Sequence, residues 1–260
     1  MEASRVDVAR TRLPSPKLEV VRGIYVETRV HADGDALWHA TQDLDSHVRW
    51  DLRFTGIQLA RTDADGHRVF TYELRTPVAT ITGEGTTVGE RRRPDGTGTS
   101  ALVFSADQSW SPLQDGSAYW RYVPTDDGIR FLTGYDYLPP FGAVGRLADR
   151  VAVRPVVGWL TARSFDALRI WLDHDIAPER VHRSGFVDLG LRAAAGVVAA
   201  TAVRRAGPVV SLAAGALAVA AASLVPVPDS VPRARRCLRR PPDPLAARPP
   251  RTLADLENAR

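Results

Sequence analysis

The chain has a single cysteine, Cys237, among its 260 residues. That excludes an internal disulfide framework and a thiolate metal site, and it fits a reducing compartment. Lysine is equally scarce: Lys17 stands alone, so the net charge of +4 is carried by arginine. Five arginines, Arg233, Arg235, Arg236, Arg239 and Arg240, crowd one short stretch, but no aromatic residues interleave them. Without stacking groups or a recognition motif, nucleic acid is not an expected partner. Positive charge beside a membrane segment accounts better for the cluster. The first twenty residues lack the apolar run of a secretory signal, so they are expected to form a disordered lead and the folded part to stay in the cytosol.

Catalytic signatures are missing as well. There is no Gly-x-Ser-x-Gly elbow, no phosphate-binding loop, no dinucleotide fingerprint after a strand and no His-Glu-x-x-His pair. Asp43, Asp45, His47, Trp50 and Asp51 gather potential metal ligands, but their spacing matches no metal motif. Helix capping by the aspartates and packing by Trp50 explain the cluster, and neither metal nor cofactor is expected.

What the chain does have is order. From Gly23, GIYVETRV alternates and is rich in β-branched and aromatic residues, as a strand requires. Asp33 or Asp35 then caps a helix whose stripe is Ala36, Leu37, Ala40 and Leu44, and a second short helix ends at Trp50-Asp51. Six strand-like runs follow, at 54–60, 67–74, 78–90, 100–106, 117–123 and 129–138. Asp-Gly turn signals at Gly66, Gly96, Gly116 and Gly128 separate several of them, so neighbours should be antiparallel. Gly83, Gly85 and Gly89 within one run permit a sharp bend. After Pro140 the period becomes helical: Val144, Leu147, Val151, Val157, Leu160, Phe165, Leu168 and Leu172 mark one face. A helix over 142–173 would be about 45 Å long, with a kink at Pro155, and its stripe must be buried on the sheet.

This is α+β architecture of the helix-grip kind: a curved antiparallel sheet of about seven strands, two short helices and a long closing helix. The stretches YVETRVHADGDALWHATQDLDSHVRWDLRF (25–54), SAYWRYVPTDDGIRFLTGYDY (117–137) and FGAVGRLADRVAVRPVVGWLTARSFDALRIWL (141–172) resemble the SRPBCC superfamily. That group includes START-type lipid-transfer and polyketide cyclase/dehydrase-like proteins. The resemblance is strongest to a bacterial subgroup that continues into a DoxX-like membrane region, but the C-terminal part here departs from that pattern. It implies an apolar cavity and no universal catalytic motif.

A second zone begins near Pro178. Residues 186–203 are apolar but carry Asp188 and Arg192, whereas 207–225 carry no charge and would span about 28 Å, close to a bilayer core. The expected organisation is a lead over 1–20, the helix-grip domain over 21–176, an apolar helical hairpin over 184–227, read as transmembrane, and a disordered Pro/Arg-rich tail over 228–260. The expected function is a membrane-tethered binding protein, its domain on the cytoplasmic side of the cell membrane, enclosing a lipid-like or aromatic molecule and touching membrane lipid through 186–227. A cyclase- or dehydratase-like enzyme using a cavity acid or base, and a structural or regulatory membrane protein, are the alternatives. Cavity candidates are Trp50, Glu84, Tyr119, Arg121, Tyr135 and Asp136; alternation alone does not say which strand faces look inward.

Overall fold

A computed structural model describes residues 23–243 and a few positions to Leu253. The expected lead over 1–20 lies outside the described residues. Seven strands form one antiparallel sheet in the order β1-β7-β6-β5-β4-β3-β2: β1 (Ile24–Val30), β2 (Gly56–Thr62), β3 (Arg68–Arg75), β4 (Thr80–Arg92), β5 (Gly98–Ala106), β6 (Gly116–Thr125) and β7 (Gly128–Tyr137). The first and last strands pair, Ile24 opposite Tyr135 and Val30 opposite Ile129. Turn glycines at Gly66, Gly96 and Gly128 adopt positive φ, which side chains resist and glycine does not. Gly116, expected in a tight turn, instead opens β6 after a longer loop over 107–115. A bulge between Thr87 and Gly89 interrupts the β4–β5 register and bends the sheet.

Helices α1 (Gly34–Gln42) and α2 (Leu44–Trp50) follow β1. Asp33 caps α1 by accepting from the Asp35 and Ala36 amides, and Asp43 caps α2 through the Asp45 amide. The long closing helix is α3 (Gly142–Ala148) and α4 (Arg154–His174), joined by a π-helical turn at Asp149–Val153. The wide turn falls immediately before Pro155, whose missing N–H leaves one bond of the ladder unmade. Asp173 fastens the far end of α4 to the end of β1, accepting from the amides of His31 at 2.8 Å and Ala32 at 3.2 Å.

The concave face of β1, β7 and β6 packs under α4. Val26, Val30, Trp120, Tyr122, Phe131, Tyr135, Phe165 and Leu168 form this core, with Phe131 stacked on Phe165 at 4.7 Å. Burying each such side chain contributes about 1.5–3 kcal/mol. Beyond α4, an antiparallel pair of apolar helices follows, α5 (Pro178–Ala202) and α6 (Pro208–Leu224), in closest contact at Gly196 and Gly215.

The tail corrects the expectation of disorder. Over 228–243 it runs back along the domain: Val231, Ala234 and Cys237 are buried, and Leu238 exchanges backbone hydrogen bonds with Glu27 at the edge of the sheet. Asp166, fully buried on α4, accepts from the Arg233 amide at 2.7 Å and the Arg236 guanidinium at 3.2 Å. Farther on, Ala246 and Leu253 bury against Tyr25, Tyr119 and Leu132 on the convex face. Arginine and proline set the composition of this stretch, but three small apolar residues spaced by three, and one buried carboxylate, determine where it goes.

Candidate functional site

The register determines which strand faces look inward. Trp120 and Tyr122 belong to the core under α4, so Tyr119 and Arg121 look outward. Trp120 pairs with Ser100, which puts Leu102 and Phe104 on the concave face; Phe104 pairs with Gly85, and Gly85 with Phe70. Tyr72, Leu74 and Ile81 follow on the same side.

This face is treated differently along the sheet. Helix α4 packs on β1, and α2 meets β2, but among the described residues no helix packs comparably on the concave face of β3, β4 or β5. Phe70, Tyr72, Leu74, Ile81, Leu102 and Phe104 are therefore only half-buried. They form an apolar trough beside the closed core. Its floor is kept low by glycine: a Cβ at Gly85 would lie 2.4 Å from the Phe70 ring, and one at Gly83 would lie 2.4 Å from the Tyr72 hydroxyl. Both aromatic rings lie directly on the glycine backbone.

A polar network stands at the boundary between trough and core. Asp51, at the end of α2, has no exposed side-chain surface and accepts from Arg53 Nε at 2.9 Å, Arg53 Nη2 at 2.5 Å and His47 Nε2 at 3.1 Å. Burial alone would raise its pKa; the Arg53 guanidinium and the His47 bond overcome that and hold the carboxyl well below the usual range. The Arg53 guanidinium lies 5.3 Å from the centre of the Tyr135 ring and 5.6 Å from that of Phe54. Tyr135 bonds Thr161 of α4 at 2.8 Å, and burial raises its phenol pKa. Phe54 in turn meets Tyr72 edge-on at 5.8 Å, which joins the network to the trough wall.

A second network sits toward the start of the closing helix. Tyr137 donates to Asp149 at 2.5 Å, and Asp149 accepts from Arg154 Nε at 2.7 Å. Burial, with the Asp149 carboxylate, pushes the Tyr137 phenol well up.

The six sequence candidates separate into two groups. Tyr135 is inward and part of the network. Trp50 is inward but wholly buried, donating to the Ala40 carbonyl at 2.8 Å and stacking on His47, so it is core. The other four leave the concave face. Glu84 is half-exposed and paired with Arg61 at 2.9 Å. Tyr119 donates to the Ala246 carbonyl, and Arg121 reaches the Arg248 carbonyl beside a groove of about 270 Å3 between sheet and tail. Asp136, outward by register, pairs with Arg154 at 2.9 Å. At the level of sequence, helix capping accounts for Asp51, and Arg53 lies outside the cluster of potential ligands. Their i, i+2 spacing on a chain leaving a helix gives no periodic signal.

No family model matches the chain. It is 39% identical over 166 residues to the uncharacterized membrane protein YndG of Bacillus subtilis (strain 168), covering 63% of this chain and 62% of that protein. The chain thus matches somewhat less than two thirds of that relative's length. Among solved structures, it is similar to a START superfamily protein from Mycobacterium smegmatis (10% identity, 58% of this chain and 99% of that one, TM-score 0.43). It is also similar to the STAR-related lipid transfer protein from Xanthomonas axonopodis (17%, 56% and 82%, TM-score 0.41). A third is the di-domain aromatase/cyclase StfQ of steffimycin biosynthesis (13%, 59% and 50%, TM-score 0.45). With β1 paired to β7, two short helices between β1 and β2, and a long helix closing the sheet, the fold is of the helix-grip type.

Proposed function

We propose that the chain is a membrane-associated binding protein that takes a hydrophobic small molecule, lipid-like or aromatic, into the trough over β3, β4 and β5. The observation that carries this is the row of half-buried aromatic and aliphatic side chains left without a helix above them. Apolar surface in a concave site, next to a few convergent polar groups, is the usual make-up of a ligand pocket. The Arg53–Tyr135 pair at its inner wall supplies the polar end. The membrane association is supported by the likeness to a membrane protein and by α5, which is long and apolar enough to cross a bilayer. The two charges within its apolar stretch, Asp188 and Arg192, need not oppose insertion, because they pair with each other at 2.7 Å. A tether that keeps the trough beside lipid raises the effective concentration of any ligand that partitions there. In this reading the grip domain lies on the cytoplasmic side.

The test is native mass spectrometry of the full chain purified in nanodiscs, wild type against Ile81→Arg. A small molecule retained by the wild type and lost from the variant, with the circular dichroism of both unchanged, supports the reading. Equal retention by both would refute it. A second reading, cyclase- or dehydratase-like chemistry, draws on the same Arg53–Tyr135 pair. It would appear as a recovered ligand that has lost water rather than one returned unaltered.

A further inference from the structure

The two ends of the sheet differ in chemistry. At one end lie the turns at Asp63–Gly66, Asp95–Gly96 and Asp126–Gly128, together with Asp33 and Asp35 before and within α1. None of the large exposed apolar residues falls in those turns. The opposite rim is where β1 begins and β7 ends. It carries Val78 in the β3–β4 turn, Trp110 in the β5–β6 loop, Leu138 and Phe141 after β7, and then the outer face of α3 and the π-turn. Val144, Leu147 and Val151 there are 76%, 65% and 70% exposed. Only Gly145 is buried on α3, which packs chiefly on the π-turn it runs into.

The stretch of this rim over 141–154 is basic at its surface, whereas Asp107 and Asp115 of the β5–β6 loop supply acidic charge elsewhere on the rim. Arg146 and Arg150, one turn apart and both exposed, flank the apolar stripe. The one acidic residue of 141–154, Asp149, is buried and committed to Tyr137 and Arg154. An exposed apolar stripe edged by arginine is the pattern of a helix that lies in the interface of an anionic membrane.

The direction of the hairpin agrees. Val181 packs against Ala167 and Ile170, whereas a side chain at Gly185 would meet Arg163, so α5 ascends as α4 descends. Helix α5 therefore heads back toward the rim that carries α3. We infer that this rim, with the stripe Phe141, Val144, Leu147 and Val151 and with Arg146 and Arg150, is a docking face for an anionic lipid bilayer. It rests on the membrane association proposed above and adds which end of the domain meets the lipid. Docked this way, the bilayer lies against the end of the sheet onto which Ile81, Leu74 and Phe104 of the trough converge.

The experiment uses the full chain. Because Cys237 is buried where the tail packs on α4, a thiol introduced as Leu147→Cys can be labelled selectively with an environment-sensitive fluorophore. Asp126→Cys, at the acidic end, gives the reference. Both are mixed with vesicles of phosphatidylcholine alone or with one quarter phosphatidylglycerol, each carrying nitroxide-labelled lipid, and flotation is scored in parallel. Expected is several-fold stronger quenching at 147 than at 126 in the anionic vesicles, reduced by Arg146→Gln with Arg150→Gln while flotation persists. Flotation without preferential quenching at 147 would overturn the docking face and leave the membrane association standing. Neither flotation nor quenching would overturn both. Equal quenching at 147 in phosphatidylcholine alone would overturn the role given to the arginines. A concentration-dependent blue shift at 147 without vesicles would assign the stripe to a second copy of the chain.

Discussion

Arg53 folds back on Asp51, two residues before it, and grips a carboxylate that has no contact with solvent. The pair is costly to bury and costlier to break. Removing the charge of Asp51 strands a guanidinium between the Phe54 and Tyr135 rings. Asp51→Asn should therefore lower stability by about 3–5 kcal/mol. The double variant Asp51→Asn with Arg53→Met should lose distinctly less than the sum of the singles. Urea unfolding of the full chain in mild detergent, followed by tryptophan fluorescence, measures the coupling; additive losses would show that the pair does not act as a unit.

The same carboxylate should make the domain sensitive to acid. Its folded pKa lies below its unfolded value, so its contribution is complete above the normal carboxylate range and is lost as pH falls through and below it. Tyr72 acts at the other extreme. Burial, with the fields of Asp107 and Asp115, pushes its phenol up to about 12, so the stability it carries is full below about 10 and lost as pH rises toward 12. Thermal melts across pH should show an acid limb that Asp51→Asn flattens and an alkaline limb that Tyr72→Phe flattens. Limbs unchanged by these substitutions would assign the titration to other groups.

Much of this fold could be read from residue order. Glycines after aspartate mark the hairpins, and alternation marks the strands, because both signals arise within a few residues of backbone. The site was less legible. Inward and outward faces depend on register across the whole sheet, so alternation groups the inward Tyr135 with Glu84 and Arg121, which lie on the other side. The trough was invisible for a related reason: it exists because α4 packs on β1 and stops short of β4, a fact of packing that no single strand encodes. The tail was misread because composition reports bulk solubility, whereas its docking rests on the buried Val231, Ala234 and Cys237 and on Asp166.

That docking makes Cys237 a reporter. Its thiol donates to the Ala162 carbonyl at 3.1 Å, and burial pushes its pKa to about 12. A neutral, covered thiol reacts slowly. Modification by a thiol reagent at neutral pH should be slow in the native chain and accelerate at least tenfold in Asp166→Asn. That substitution weakens the charge-assisted bonds from Arg236 and Arg169, each worth about 1.5–3 kcal/mol. Rapid labelling of the wild type would mean that the tail leaves the domain readily.

The helices of the hairpin approach each other closely at Gly196 and Gly215, and that contact can be tested without reference to any ligand. A Cβ on Gly196 would lie 2.5 Å from a Val219 methyl group and 3.1 Å from the Gly215 carbonyl, so the helices meet backbone to backbone there. Small residues that let backbones approach are how helices associate where water supplies no drive. Gly196→Leu must push α5 and α6 apart, costing about 1–3 kcal/mol as overpacking does. Limited proteolysis in detergent should then cut between Arg204 and Arg205, at the hairpin bend, several times faster than in the wild type. Gly190→Leu on the same helix, where no atom lies within 4 Å of the added carbon, should leave the rate unchanged. Equal acceleration by both substitutions would mean that the effect comes from the helix itself and not from its contact with α6.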